Sequence, residues 1–150
     1  MLSGFHHSSF TVSDVDRSLA FYRDLLGLTV VADMQPDADY VARVTGFPGA
    51  TFRIVFLRLP PDEHILELIQ YKTRAGDPLP LATNRPGCAH ICFLVQDLSA
   101  LHARLTAQGA RFVSEPVEIT QGVNRGGYAV YLRDPDGITI ELLQRPAGPA

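Results

Sequence analysis

Four residues of this 150-residue chain have the types and spacing to do chemistry: His7, Glu67, His90 and Glu141. They occur as two copies of one pattern. HSSFTVSDVDRSLAFYRDLLG (7–27) and HICFLVQDLSALHARLTAQG (90–109) both read His, four residues, Val, one residue, Asp, then a helical pattern closed by Gly. HILELIQ (64–70) and ITIELLQ (138–144) both hold Glu-Leu-aliphatic-Gln at the end of an apolar run, each after a Pro/Asp turn. Two imidazoles and two carboxylates supply borderline nitrogens and hard oxygens. Their formal −2 offsets a divalent cation, and the mix suits Zn, Fe, Mn, Co or Ni better than Ca or an all-thiolate site. A carboxylate in a partly apolar cavity needs such compensation. Four protein ligands leave one or two positions for water or a substrate oxygen, which is the arrangement of a catalytic rather than a structural ion.

The elements that must position these residues follow from period and punctuation. In the first half, Phe5–Val12 is β-rich, Ser13 or Asp14 caps a helix, and Gly27 closes it. Leu28–Ala32, Thr51–Leu59 and Ile65–Tyr71 read as strands. In the second half, strand Ala89–Val95 leads to a helix capped by Asp97 and ended by Gly109. Strands at about Arg111–Val113, Gly127–Arg133 and Ile138–Gln144 follow, the last two joined by DPDG. Loop 33–50 holds a short helix around Tyr40–Thr45. The predicted class is α+β, two repeated βαβββ modules forming a curved mixed sheet around a cavity. Module 1 spans about 5–71 and module 2 about 88–145, with the polar, Pro/Gly-rich stretch 72–87 as connector. Strand alternation places an apolar ladder on one face of each repeated strand (Phe10 and Val12; Leu66 and Leu68; Ile91 and Phe93; Ile140 and Leu142). It leaves one metal-capable residue on the other face of each.

Composition excludes several classes. With 46% hydrophobic and 19% charged residues, the chain is not disordered. Thirteen basic against 16 acidic residues give a net charge of −3, with no basic block, so nucleic acid and anionic membranes are poor partners. Its apolar runs fall far short of a membrane span, and MLSGFHHSSF has no signal-peptide pattern. Cys88 and Cys92 lie about 13 Å apart if extended, too far for a disulfide, which fits reduced thiols in the cytoplasm.

Other polar residues receive lesser roles. Cys92 shares the face of His90 and lines the cavity as a small apolar residue. Arg53 lies on a strand where alternation permits either cavity or surface. Tyr71, on the face of Glu67 and Ile69, caps the pocket. QGVNRGGY (121–128) is the substrate-loop candidate, with Asn124 and Arg125 as donors to an anionic group. His6 is read as facing the packing side or solvent, and His64 and His102 as solvated residues.

The stretches HHSSFTVSDVDRSLAFYRDLLGL, LELIQY, HICFLVQDL and YLRDPDGITIELLQ resemble the vicinal oxygen chelate superfamily. That is the family of glyoxalase I, methylmalonyl-CoA epimerase, extradiol dioxygenases and the fosfomycin and bleomycin resistance proteins. The resemblance covers nearly the whole chain except 33–50 and 72–87. It implies a divalent-metal enzyme acting on a small molecule, homodimeric, with His7, Glu67, His90 and Glu141 as ligands. A four-ligand set is similar to glyoxalase I and the epimerases, and implies a lyase or isomerase that moves a proton beside a chelated carbonyl through an enolate, with Glu67 or Glu141 as proton shuttle. Residues 41–61 lack any Asp or Glu, a departure from the epimerase pattern of a second acid before the Glu ligand. Two other family chemistries stand beside this one: a non-haem Fe(II) extradiol-type dioxygenase, and a drug-sequestering protein without catalysis.

Overall fold

The sequence repeat becomes a repeat of topology. The computed structural model describes residues 1–147. It divides into two compact units, Met1–Pro78 and a second beginning at Leu79. The first contains β1 (His7–Thr11), α1 (Val15–Leu19, continued by a π-helical turn over Ala20–Leu25), β2 (Thr29–Met34), α2 (Ala38–Thr45), β3 (Thr51–Arg58) and β4 (Ile65–Thr73). Its sheet runs β1-β4-β3-β2, with β1 parallel to β4 and the other pairs antiparallel. The second contains β5 (His90–Leu94), α3 (Leu98–Ala107), β6 (Arg111–Phe112), β7 (Val117–Glu118), β8 (Tyr128–Arg133) and β9 (Thr139–Gln144). Its sheet runs β5-β9-β8-β6, β7 also pairing with β8, again with one parallel pair, β5 with β9. The fold is therefore α+β with a mixed sheet in each module. Expected β1 residues Phe5 and His6 lie before the strand, and the two-residue β7 is an addition to the expected strands.

Local chemistry repeats as well. Asp14 caps α1 by accepting from the Arg17 amide, and Asp97 caps α3 by accepting from the Ala100 amide. Gly27 and Gly109 leave the helices at φ 86° and 85°, a conformation that costs L side chains and is free for glycine. The Gln that closes each Glu-Leu-aliphatic-Gln has a structural task. Gln70 Oε1 accepts from the Val15 amide at 3.3 Å while its Nε2 donates to the Ser13 carbonyl at 3.0 Å. Gln144 Oε1 accepts from the Leu98 amide at 2.7 Å. Both tie the last strand of a module to the first turn of its helix, satisfying an N–H that has no partner inside the helix.

The apolar ladders lie where alternation puts them. Leu66, Leu68, Ile140 and Leu142 are buried, on the strands against which α1 and α3 pack. Each fully buried aliphatic side chain contributes roughly 1.5–3 kcal/mol. The opposite face of the first sheet carries a second cluster. Val41 of α2 packs with Ala50, Phe52 and Ile54, and Phe56, Ile69 and Tyr71 lie against them. DPDG closes the β8–β9 turn through buried Asp134, whose Oδ1 accepts from the amides of Asp136 and Ile138 at 2.9 and 2.7 Å. Among the described residues no helix is long and apolar enough to cross a membrane.

Candidate metal centre

Each unit brings one histidine against one glutamate, and the register does it in the same way twice. In the first, Ser9 pairs with Glu67 across the parallel β1–β4 ladder, so His7 lies two residues back on the same face. In the second, Cys92 pairs with Glu141 across β5–β9, and His90 lies two residues back. That diagonal is within reach of a long side chain. His7 Nε2 stands 3.4 Å from Glu67 Oε2, and His90 Nε2 stands 3.1 Å from Glu141 Oε2. The histidine side chains are each 38% exposed, Glu67 10% and Glu141 21%. Solvent thus reaches both pairs from the imidazole side.

The donor set suits a divalent ion. Two bonds of about 2.1 Å meeting at roughly 90–110° hold their donor atoms about 3.0–3.4 Å apart. The two measured separations lie in that interval, so each pair can chelate one ion with little rearrangement. Among the described residues, no three His, Cys, Asp or Glu side chains are gathered to hold a metal; the donors stand as these two pairs.

The surroundings of the two carboxylates differ. Glu67 faces Ser9 on one side and Phe56 on the other. Phe56 stacks on His7, with ring centroids 6.1 Å apart and planes at 25°. His7 Nδ1 lies 2.7 Å from His6 Nδ1, so its second ring nitrogen has a partner, which fixes ring orientation as outer partners of metal-bound imidazoles do. Glu141 faces Cys92 and Tyr131 instead. The Tyr131 ring lies 5.3 Å from that of His90. Desolvation and then the Glu141 charge raise the Tyr131 phenol above its usual range. Cys92 is exposed by area, yet partial burial of its thiol first and the Glu141 carboxylate second push it up to about 11. At that value it is a neutral thiol rather than a nucleophile. Cys88 is also a free thiol. Glu141 opens onto a recess of about 220 Å³.

The remaining sequence candidates fall into two groups. Tyr71 does share the Glu67 face, where its ring meets those of Phe47 and Phe52 in edge contacts at 6.3 and 5.3 Å. Arg53 takes the placement away from Glu67. Phe56 pairs with Glu67 and Arg53 with Gln70, so the two side chains leave β3 on opposite faces. Arg53 is engaged there in ion pairs with Asp16 at 2.9 Å and Asp33 at 2.6 Å. The Arg53 hydrogen bond lowers Asp33 below the ordinary carboxylate range. In 121–128 the glycines serve backbone closure. Gly126 N–H donates to the Ile119 carbonyl and Gly127 N–H to the Asn124 carbonyl, and a Cβ at Gly127 would run into the Gln144 carbonyl oxygen. Asn124 and Arg125 precede β8, whose first residue, Tyr128, pairs with Gln144, three residues along β9 from Glu141. His64 Nε2 meets Ser8 Oγ at 3.1 Å, and His102 packs on Phe112 with centroids 4.2 Å apart. Tyr131 and Phe56 were missing from the sequence reading; a matched position in the two apolar strands preceding each Glu is the one signal that marks them.

Comparison with known proteins yields a consistent set of relatives. The sequence model of the Glyoxalase/Bleomycin resistance protein/Dioxygenase superfamily matches residues 4–142. A 2-epi-5-epi-valiolone epimerase from Actinomyces sp. is 33% identical over 147 residues, covering 95% of this chain and 80% of that one. A lactoylglutathione lyase from Arabidopsis thaliana is 29% identical over 97% of this chain, which spans only 45% of that protein's length. Among solved structures, a glyoxalase family protein from Bacillus cereus superposes with a TM-score of 0.83 at 25% identity, covering 98% of this chain and 97% of the other.

Proposed function

Because the chain belongs to the Glyoxalase/Bleomycin resistance protein/Dioxygenase superfamily, we propose that it is a divalent-metal-dependent enzyme of the glyoxalase-like kind, a lyase or epimerase. In this reading it moves a proton on the carbon beside a carbonyl of a small substrate. The observation that carries this reading is the duplicated His–Glu diagonal, with nitrogen–oxygen separations of 3.4 and 3.1 Å. The names of relatives support it: one is an epimerase and another a lactoylglutathione lyase.

In this reading His7, Glu67, His90 and Glu141 hold the ion. When bound, it supplies positive charge that stabilises the anion left on the substrate when the proton departs. Glu141 is the better placed of the two acids to take that proton. It borders the open recess and two protic neighbours, Cys92 and Tyr131, whereas Glu67 is flanked by Phe56 and is the less exposed of the pair. The raised Tyr131 phenol keeps its proton at neutral pH and can donate a hydrogen bond to a substrate oxygen. His6 orients His7 from the far ring nitrogen. The reading extends to a homodimer.

The test is exchange of substrate α-hydrogen in deuterium oxide, measured by NMR on protein loaded separately with Mn, Fe, Co, Ni or Zn. Exchange that requires one of these ions, falls at least 100-fold in Glu141→Gln and falls less in Glu67→Gln supports the reading. Oxygen uptake with Fe(II) and no exchange would replace it by the dioxygenase chemistry. Absence of bound metal and of rescue by any of the five ions would replace it by sequestration.

A further inference from the structure

The recess beside Glu141 has a structural origin that defines what it holds. On the edge of the second sheet, Val113 N–H donates to the Tyr131 carbonyl at 2.8 Å, and Val117 pairs with Ala129. Between Tyr131 and Ala129 lies one residue, Val130. Between Val113 and Val117 lie three, Ser114, Glu115 and Pro116. The edge strand therefore carries two extra residues and swings away from β8, as an enlarged bulge does. The gap so opened is the recess of about 220 Å³, lined by Val113, Ser114, Val117, Ala129, Val130, Tyr131 and Glu141. Tyr131 pairs with Glu141 across β8–β9, so the opening sits on the face of the candidate acid and not behind it.

The lining sets the chemistry. Four of the seven residues are aliphatic, and Val113 and Val117, each 58% exposed, form an apolar rim that water covers at a cost. Ser114 Oγ donates to the Glu115 carbonyl at 2.8 Å and so offers only lone pairs inward. No lysine, arginine or histidine lines the space. The volume is that of about seven waters and lies below the roughly 300–1,000 Å³ of sites for drug-sized ligands.

We infer that this recess is a specificity subsite for the body of the substrate, and that it selects an uncharged, largely apolar group of about six to eight non-hydrogen atoms attached to the carbonyl carbon. Val113, Val117 and Ala129 set its size, and the missing cation excludes carboxylate or phosphate groups from it. The inference rests on the proposed reaction only for the orientation of the carbonyl toward Glu141.

Binding, measured by calorimetry on the full chain, tests it. The probe is 2-hydroxyacetophenone, compared with its ring-carboxylated analogue, 4-(2-hydroxyacetyl)benzoate. The neutral probe is expected to bind at least tenfold more tightly than the anion. Ala129→Leu, which fills the recess, is expected to weaken the neutral probe at least tenfold. Val117→Glu, at an exposed rim position where folding is not at stake, is expected to do the same. No binding of the neutral probe to the wild type, equal affinity for both probes, or unchanged affinity in both variants overturns the subsite. Binding that follows the expected pattern without deuterium exchange at any substrate carbon strikes the reaction alone and leaves the subsite standing.

Discussion

Replacing Gln144 with leucine isolates one of the two ties between sheet and helix. The side chain's Oε1 accepts from the Leu98 amide at 2.7 Å, and Leu98 is 1% exposed. Leucine is one atom shorter and has no acceptor, so the first amide of α3 would be left without its partner in a place water barely reaches. Leaving one buried N–H unpaired costs about 1–3 kcal/mol, and the added apolar contact offsets part of it, giving a net loss of about 1–2 kcal/mol. At roughly 2–4 °C per kcal/mol for a chain of this size, Tm falls by about 2–8 °C. Gln144→Glu keeps the acceptor and places negative charge at the helix start, where the backbone dipole favours it, so its Tm stays near that of the wild type. Thermal unfolding followed by circular dichroism measures all three proteins. A Gln144→Leu protein as stable as the wild type, or a Gln144→Glu protein as unstable as the leucine variant, would refute the claim that this hydrogen bond ties α3 to β9.

Further expectations follow from other contacts. Arg53→Met removes the paired cation from Asp33 and Asp16, both exposed, and lowers stability by about 0.5–1 kcal/mol at pH 7. Because the Arg53 hydrogen bond holds Asp33 below its unfolded value, that contribution exists above the unfolded carboxylate pKa of about 3.9 and vanishes as pH falls through the folded one. Urea titrations of the two proteins therefore differ at pH 7 and converge as pH falls through the lowered folded pKa of Asp33. Cys92, with its thiol at about 11, carries about 0.1% thiolate at pH 8, some hundredfold less than an ordinary thiol at 9. In metal-free protein its alkylation by iodoacetamide is slow, and Glu141→Gln accelerates it by removing the charge that opposes ionisation. His6→Ala, which frees His7 Nδ1, weakens metal binding about 10–100-fold, read by competition with a chelating dye; unchanged affinity refutes the orienting role.

The face that carries the His and Glu residues was legible in the chain because strand alternation needs no partner strand. His7, Glu67, His90 and Glu141 could each be set opposite an apolar ladder from local pattern alone, and the Asp caps and closing glycines are equally local. What depended on register between strands was not legible. Arg53 could go to either face until Phe56 was paired with Glu67. Tyr131 reads as one more aromatic in a β-strand until it is set across from Glu141. The repeated Gln, conspicuous as sequence, lies three residues from the Glu. Three residues along a strand reverse the face, and it turns to the helix. In loop 121–128, Gly127 is required by the close passage of the Gln144 carbonyl, a contact that local sequence does not show.

The excursion at Ser114–Pro116 has a second consequence, for solubility. An edge strand offers a row of free amides and carbonyls to any other extended chain, and sheets grow by that route into aggregates. Here the outer row beside β8 is cut into two short pieces, with a proline, which has no amide to offer, in the interruption. A passing strand finds no continuous track to dock on. Lengthening or trimming those three residues would reshape the neighbouring hollow while leaving the β5–β9 ladder that carries His90 and Glu141 untouched. Straightening the strand would expose it to self-association.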